Sequence, residues 1–302
     1  MNSLSCALSG VAMRPRTQFL RVLAAVVEAF QMSLDERVLI VGGSAADEQA
    51  LRQAGFKHIV NSNLPTDMGR MAGSESAPGT QHLALDAEQI DLPSDSFDFV
   101  FASEVLHHCS SPHRALCEML RVSRRHVLFM EPNDSLAMNA LVRMRFSFPY
   151  ELPAVIDHDY QSGGLRDSHV PNFIYRWSRH EVFKTVSSYI PQRIFSVRAY
   201  PYWDFDVSKE GLDLRKETRI GSITSVMGAD NFISLLRTVQ FFLNWIPFTR
   251  SQGNKFFCCI EKSPGLKPWM SRDGEEIVFN RQFGRQKKET DHSLTCRIDL
   301  LP

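Results

Sequence analysis

Residues 86–132, DAEQIDLPSDSFDFVFASEVLHHCSSPHRALCEMLRVSRRHVLFMEP, decide the fold of this 302-residue chain. Two runs within them, 97–102 and 127–130, are apolar at nearly every position, as in strands covered on both faces. Between them, 112–122 has the apolar spacing of an amphipathic helix. An acidic corner, Asp86-Ala87-Glu88, precedes the first strand, and a polar Ser-Glu…His-His segment follows it. Strand, helix and strand in this order make a βαβ unit. Ligands of open α/β sheets bind at the carboxyl ends of the strands, where these polar residues fall.

Upstream the alternation continues. A short apolar strand is expected at 37–41, then Gly42-Gly43-Ser44, a helix at 45–54 ended by Gly55, a strand at 58–62, and a third strand at 81–85 that delivers Asp86. This predicts a doubly wound, mostly parallel sheet. Downstream, 135–146 can be helical, and 148–175 is irregular, with three prolines and the Gly163-Gly164 pair. Ser178 and Glu181 read as a capping box opening another helix. Further strands are expected at 193–200 and 254–261. The apolar helix 231–248 carries Arg237, Gln240 and Asn244, which would be costly in lipid, so it is expected to pack on the core or cover the cleft. Residues 277–279 could dock on the body, whereas 284–302 is polar and expected to be disordered. The resulting division is a helical segment at 1–35, a main domain at 36–263 with an insert at 136–177, and an extension at 264–302.

Composition narrows the function. Lys+Arg and Asp+Glu are equal at 34 each, so the chain carries no global electrostatic footprint for nucleic acid. The basic residues Arg281, Arg285, Lys287 and Lys288 lack interleaved aromatics and read as a solvated tail. Six cysteines without a CxxC pair fit reduced thiols in the cytoplasm. No secretory signal is expected, although the acid-poor start with Arg14, Arg16 and Arg21 leaves a transit peptide open. No membrane span is expected.

Gly42, directly after a strand, lets the backbone turn and approach a ligand, and the helix start beyond it suits an anion such as a carboxylate. It is equally a plain turn glycine. The dinucleotide pattern GxGxxG is absent, which disfavours a nicotinamide oxidoreductase. Asn63 ends the second strand, where nucleoside-binding folds hold ribose hydroxyls. It could do so through its carbonyl oxygen, or simply cap the turn before Pro65. The Asp86 carboxylate and the Ala87 N–H could together read an adenine edge, and Asp86 could also cap the turn that follows.

In order and spacing, Val38 to Ser44, Asn63, Asp86-Ala87-Glu88, Leu92-Pro93, Phe97-Asp98-Phe99-Val100, Val105-Leu106-His107-His108, Ser111-Pro112, Ala115-Leu116 and Glu131-Pro132 resemble a class I S-adenosylmethionine-dependent methyltransferase of the broad type 11 kind. The resemblance covers roughly residues 36–132. It implies a seven-stranded Rossmann-like sheet with the last strand antiparallel. It also implies S-adenosyl-L-methionine as cofactor, held by Gly42, Gly43 and Ser44 at its methionine end, Asn63 at the ribose, Asp86 and Ala87 at the adenine, and Ala102 and Ser103 near the methyl group. Two places depart from the family pattern: Ile40 stands at the usual acidic position of the first strand, and Asn63 replaces the ribose carboxylate.

Methyl transfer requires in-line positioning and, for a hydroxyl acceptor, a base. Candidates are His107, His108, Glu131, His158 and Asp159, with His108, Glu131 and His158 favoured. The expected activity is methylation of a small-molecule or saccharide-type acceptor under an insert acting as a lid. The alternative is an inactive methyltransferase-fold binding or scaffold protein. His108, Cys109, His113 and Cys117 invite a metal, but the core spacing of Ala115 and Leu116 argues against one, and no metal is expected.

Overall fold

The computed structural model describes residues 17–66, 80–205, 212, 216, 218–283 and 298–300. In chain order these form α1 (Thr17–Ala29), β1 (Arg37–Val41), α2 (Ala45–Gln53), β2 (His58–Asn63), β3 (Gln81–Ala84), β4 (Phe97–Ser103), α3 (Pro112–Val122), β5 (Ser123–Pro132), α4 (Leu136–Arg143), α5 (Leu152–Asp157) and α6 (Arg179–Tyr189). There follow β6 (Arg193–Tyr202), α7 (Arg219–Met227), α8 (Ala229–Trp245), α9 (Pro247–Ser251), β7 (Lys255–Leu266), β8 (Met270–Asp273), β9 (Glu276–Phe279) and β10 (Ile298–Leu300).

The main sheet runs β3-β2-β1-β4-β5-β7-β6-β10. β7 lies antiparallel to both β5 and β6, and the other pairings are parallel. β10 is an edge strand beyond the expected seven, formed inside the tail expected to be disordered. β8 and β9, the latter carrying residues 277–279, form a separate hairpin. Because β1 sits between β2 and β4, the chain leaves it in opposite directions on either side, and a crevice opens at their carboxyl ends.

Alternation along the strands fills both faces of the sheet. Leu39, Val41, Val100, Ala102, Val127 and Phe129 pack with Leu116 and Met119 of α3 and with Val182 and Val186 of α6. Val38, Ile40, Phe99, Phe101, Leu128 and Met130 pack on the other face with Leu23 and Val26 of α1 and Leu51 of α2. Each fully buried Leu, Ile or Phe contributes about 1.5–3 kcal/mol, so these layers hold the strand ends rigidly.

α8 does not pack as expected. Gln240 Oε1 accepts from Phe205 N at 2.6 Å, and Asn244 accepts from Trp203 N and donates to its carbonyl, both at 2.8 Å. The polar residues thus satisfy the backbone leaving β6 and face inward. Phe241, Phe242, Trp245 and Phe248 are turned outward. No helix among the described residues is long and apolar enough to cross a membrane.

Candidate functional site

A cavity of about 450 Å³ occupies the crevice. The sheet edge supplies one wall: Gly42, Ser44, Asn63, Leu64, Asp86, Ala87, Ser103, Glu104 and His108. The insert supplies the other, through Ala154, His158, Gly163, Gly164, Arg166 and Asp167.

Gly42 has φ +63°, and a Cβ there would lie 2.6 Å from Val105 Cγ1. Only glycine fits the turn. Ser44 caps α2 in a reciprocal box, its N–H donating to Asp47 Oδ2 at 2.9 Å while Asp47 N donates to Ser44 Oγ at 3.3 Å. The helix start therefore already carries a carboxylate of its own. Asn63 Nδ2 donates to Gly43 O at 2.8 Å and ties the end of β2 to the glycine turn.

Asp86 is claimed from two sides. Its Oδ1 accepts from Glu88 N at 2.9 Å, and its Oδ2 pairs with Arg166 Nη2 at 2.6 Å. Arg166 also pairs with Glu88. Burial alone would raise the Asp86 carboxyl, but Arg166 and the Glu88 N–H outweigh it and hold the group below its ordinary range. Arg166 and Asp167 both sit in the left-handed region, at φ 50° and 57°, a strained pair that aims the guanidinium back at the sheet.

Beneath the cavity lies a charged network. Glu131, fully buried at the end of β5, accepts from Val105 N at 2.9 Å and Leu106 N at 2.7 Å. Its other oxygen is 2.5 Å from His107 Nδ1. His107 Nε2 lies 3.1 Å from Glu151 Oε2, which accepts from Asn172 Nδ2 at 3.2 Å. Burial would lower His107, but Glu131 and Glu151 push it up to about 10. Burial would raise Glu151, but His107 and His108 hold it at about 2. His108 Nε2 approaches the same Glu151 oxygen at 3.3 Å, and its Nδ1 faces Gly164 O at 3.3 Å. Burial, then the neighbouring His107, lower the His108 ring. Burial pushes the Cys109 thiol up, so it is no nucleophile.

Gly42, Ser44, Asn63, Asp86, Ala87, Ser103, His108 and His158 thus come together on one cavity. Gly43 lies behind the turn, where a Cβ would meet Asn61 Oδ1 at 2.3 Å. Ala102 is packed inside the sheet, and Glu131 lies below the cavity and reaches it only through His107. His113 turns to Tyr175 and Thr185, both at 2.9 Å, so the four residues considered for a metal do not converge. Sequence reasoning missed Glu104, Glu151 and Arg166. Glu104 stood in the polar segment after β4, and its φ of 56° marks a special backbone position. Glu151 and Arg166 come from the irregular insert and carried no local signal.

Residues 40–130 match the family model described as a methyltransferase domain. A search of curated proteins gives no match. Among solved structures, the chain is similar to magnesium protoporphyrin IX methyltransferase from Synechocystis with bound SAH, at 16% identity over 60% of this chain and 73% of that one, with a TM-score of 0.40. It is also similar to a putative methyltransferase from Bacillus halodurans (13% identity, 82% and 98% covered, TM-score 0.47). A third is an S-adenosylmethionine-dependent methyltransferase from Mesorhizobium loti (12% identity, 81% and 100% covered, TM-score 0.43). Residues 40–130, from β1 to β5, thus match a methyltransferase domain, and the strand order around them is that of a doubly wound Rossmann-like sheet with β7 antiparallel.

Proposed function

We propose that the protein binds S-adenosyl-L-methionine in the cavity between the sheet edge and the insert 136–177 and methylates a small-molecule or saccharide-type acceptor there. The supporting observation is the convergence of Asp86, Ala87, Ser103 and Glu104 on one cavity of about 450 Å³, within the usual size of a small-molecule site. The donor set fits the cofactor. Asp86 and the Ala87 N–H present an acceptor and a donor side by side for an adenine edge. The carboxylates of Asp47, which also caps α2, and of Glu104, which also pairs with Lys255, line the same cavity. When bound, the cofactor supplies an activated methyl group.

The chain's own residues do the rest. The insert supplies the second wall of the crevice. His158 lines the cavity with Nδ1 2.7 Å from Ala154 O. That carbonyl can only accept, so Nδ1 holds the hydrogen and Nε2 keeps a lone pair, as a base for an acceptor hydroxyl requires. The four described free cysteines, Cys109, Cys117, Cys258 and Cys259, support a cytoplasmic setting.

One observation favours the inactive scaffold instead: Arg166 already occupies Asp86. Calorimetric titration with S-adenosylhomocysteine separates the two readings. Methyl transfer predicts saturable heat, and Asp86→Asn should weaken binding about ten-fold, since a hydrogen bond to a charged acceptor contributes ~1.5–3 kcal/mol. A flat titration at millimolar ligand selects the scaffold.

A further inference from the structure

We propose that His107, His108 and Glu151 form a site for a first-row divalent metal ion at the edge of the cavity, with His107 Nε2, His108 Nε2 and Glu151 Oε2 as ligand atoms. These three atoms lie within 4.8 Å of one another.

Gly164 O only accepts, so the His108 nitrogen facing it at 3.3 Å, Nδ1, carries the hydrogen. Nε2 of His108 is then a lone pair, and it faces Glu151 Oε2, another acceptor, at 3.3 Å. His107 donates its Nδ1 hydrogen to Glu131 at 2.5 Å, and its Nε2, which a metal would have to deprotonate, is aimed at the same Glu151 oxygen at 3.1 Å. A proton on His107 Nε2 satisfies that edge only. The pair His108 and Glu151, at 28% and 29% exposure, still meets acceptor to acceptor.

A metal ion satisfies all three atoms at once. Ligand atoms at the ~2.1 Å bonds of such ions lie about 3.0 Å apart at octahedral angles and about 3.4 Å apart at tetrahedral ones. The two separations from Glu151 Oε2 are 3.1 and 3.3 Å, and the two imidazole nitrogens lie within 4.8 Å of each other. The outer partners are also those of a metal centre. A ligating histidine donates its other N–H to a carboxylate or a backbone carbonyl, here Glu131 and Gly164 O. Asn172 Nδ2 steadies Glu151 at 3.2 Å. Two imidazoles and one carboxylate suit zinc or ferrous iron and leave coordination positions open.

His108 lines the cavity, so an open position faces the acceptor. This deepens the proposed methyl transfer and rests on it. An acceptor oxygen on the metal gives up its proton more readily, and His158 can receive it. The oxygen lone pair then forms the bond to the methyl carbon as the carbon–sulfur bond breaks and its electron pair stays on sulfur. The acceptor class is therefore a hydroxyl compound.

The test uses the full chain stripped with chelator and titrated with Co²⁺, following visible d–d absorption. S-adenosylhomocysteine binding is measured on the same material. One equivalent of Co²⁺ should bind with a mixed nitrogen–oxygen spectrum. His108→Ala and Glu151→Gln should each abolish that spectrum or weaken binding more than ten-fold while circular dichroism stays native. Glu131→Gln should weaken it ten- to hundred-fold, the usual cost of an outer partner. Absence of Co²⁺ binding overturns the site, as does a spectrum unchanged in both ligand variants. If the homocysteine ligand binds and Co²⁺ does not, the metal site alone falls. If Co²⁺ binds and the homocysteine ligand does not, the metal site stands and the methyl-transfer reading falls.

Discussion

A buried histidine lies at each end of β5, His126 within the strand and His107 in the turn after β4, and the two are treated in opposite ways. Near the start of the strand, His126 is 1% exposed, stacks on Phe99 with ring centroids 5.0 Å apart, and has no hydrogen-bond partner at either ring nitrogen. Burial, with Arg125 adding to it, pushes its ring down to about 4. At the far end, Glu131 reaches His107, which is 4% exposed and pushed up to about 10. Burial is nearly the same, so charge partners alone set the difference. One end of the sheet accepts a desolvated neutral ring as packing. The other end concentrates carboxylates, imidazoles and backbone N–H groups, and that is the end where the cavity opens.

Removing Glu131 should break this contrast most severely. Glu131→Ala leaves His107 without its partner at Nδ1, together with two backbone N–H groups. Loss of one member of a buried pair costs about 3–5 kcal/mol. Urea unfolding should show that loss, and a cost below about 1 kcal/mol would mean the network carries little of the fold.

Acid should act next, through His126. Its native pKa of about 4 lies below the ordinary 6.5 of the unfolded chain, so the unfolded chain takes the proton first. The stability tied to this ring is full above pH 6.5 and is lost as the pH falls to about 4, by ~3 kcal/mol in all. His126→Phe should flatten the stability slope across that window. At pH 7 the same substitution should stabilise by about 1–2 kcal/mol, because it removes two polar atoms buried without partners. A destabilised His126→Phe protein would show instead that the slot beside Phe99 and Phe30 cannot take the larger ring.

The contrast along β5 also shows what was legible in the sequence. β1 falls where the apolar run placed it, because a strand covered on both faces is apolar at every residue. β5 begins earlier than its apolar run. Arg124 and Arg125 are exposed, yet their backbone continues the strand, and charge patterning hides that. α8 was legible as a helix, but its inward face was not. Gln240 and Asn244 turn in because the backbone near Trp203 and Phe205 needs partners, a need that no helical period encodes. In the site, the sheet-borne residues follow from their place at strand ends. Glu151, Arg166 and Asn172 become site residues only because the insert folds back, with Asn172 Nδ2 bonding His107 O at 3.0 Å across 65 residues.

The smallest expected effect concerns that returning insert. The Arg166–Asp86 pair joins groups that are 43% and 30% exposed, and exposed pairs contribute roughly 0–1 kcal/mol. Arg166→Ala should therefore leave the unfolding midpoint nearly unchanged. Its effect should fall on ligand binding. While Arg166 holds Asp86 Oδ2, an adenine amine must share or displace it, and removing the guanidinium releases that oxygen. Affinity for S-adenosylhomocysteine should rise by about two- to five-fold, a change well under 1.4 kcal/mol. Weaker binding instead would make Arg166 part of the binding surface, so that the charged end of the sheet works with the insert closed. Stronger binding makes the pair a latch that the cofactor opens, and the two carboxylates of the acidic corner then separate in role, Asp86 for the ligand and Glu88 for the Ser111 backbone N–H that it already accepts.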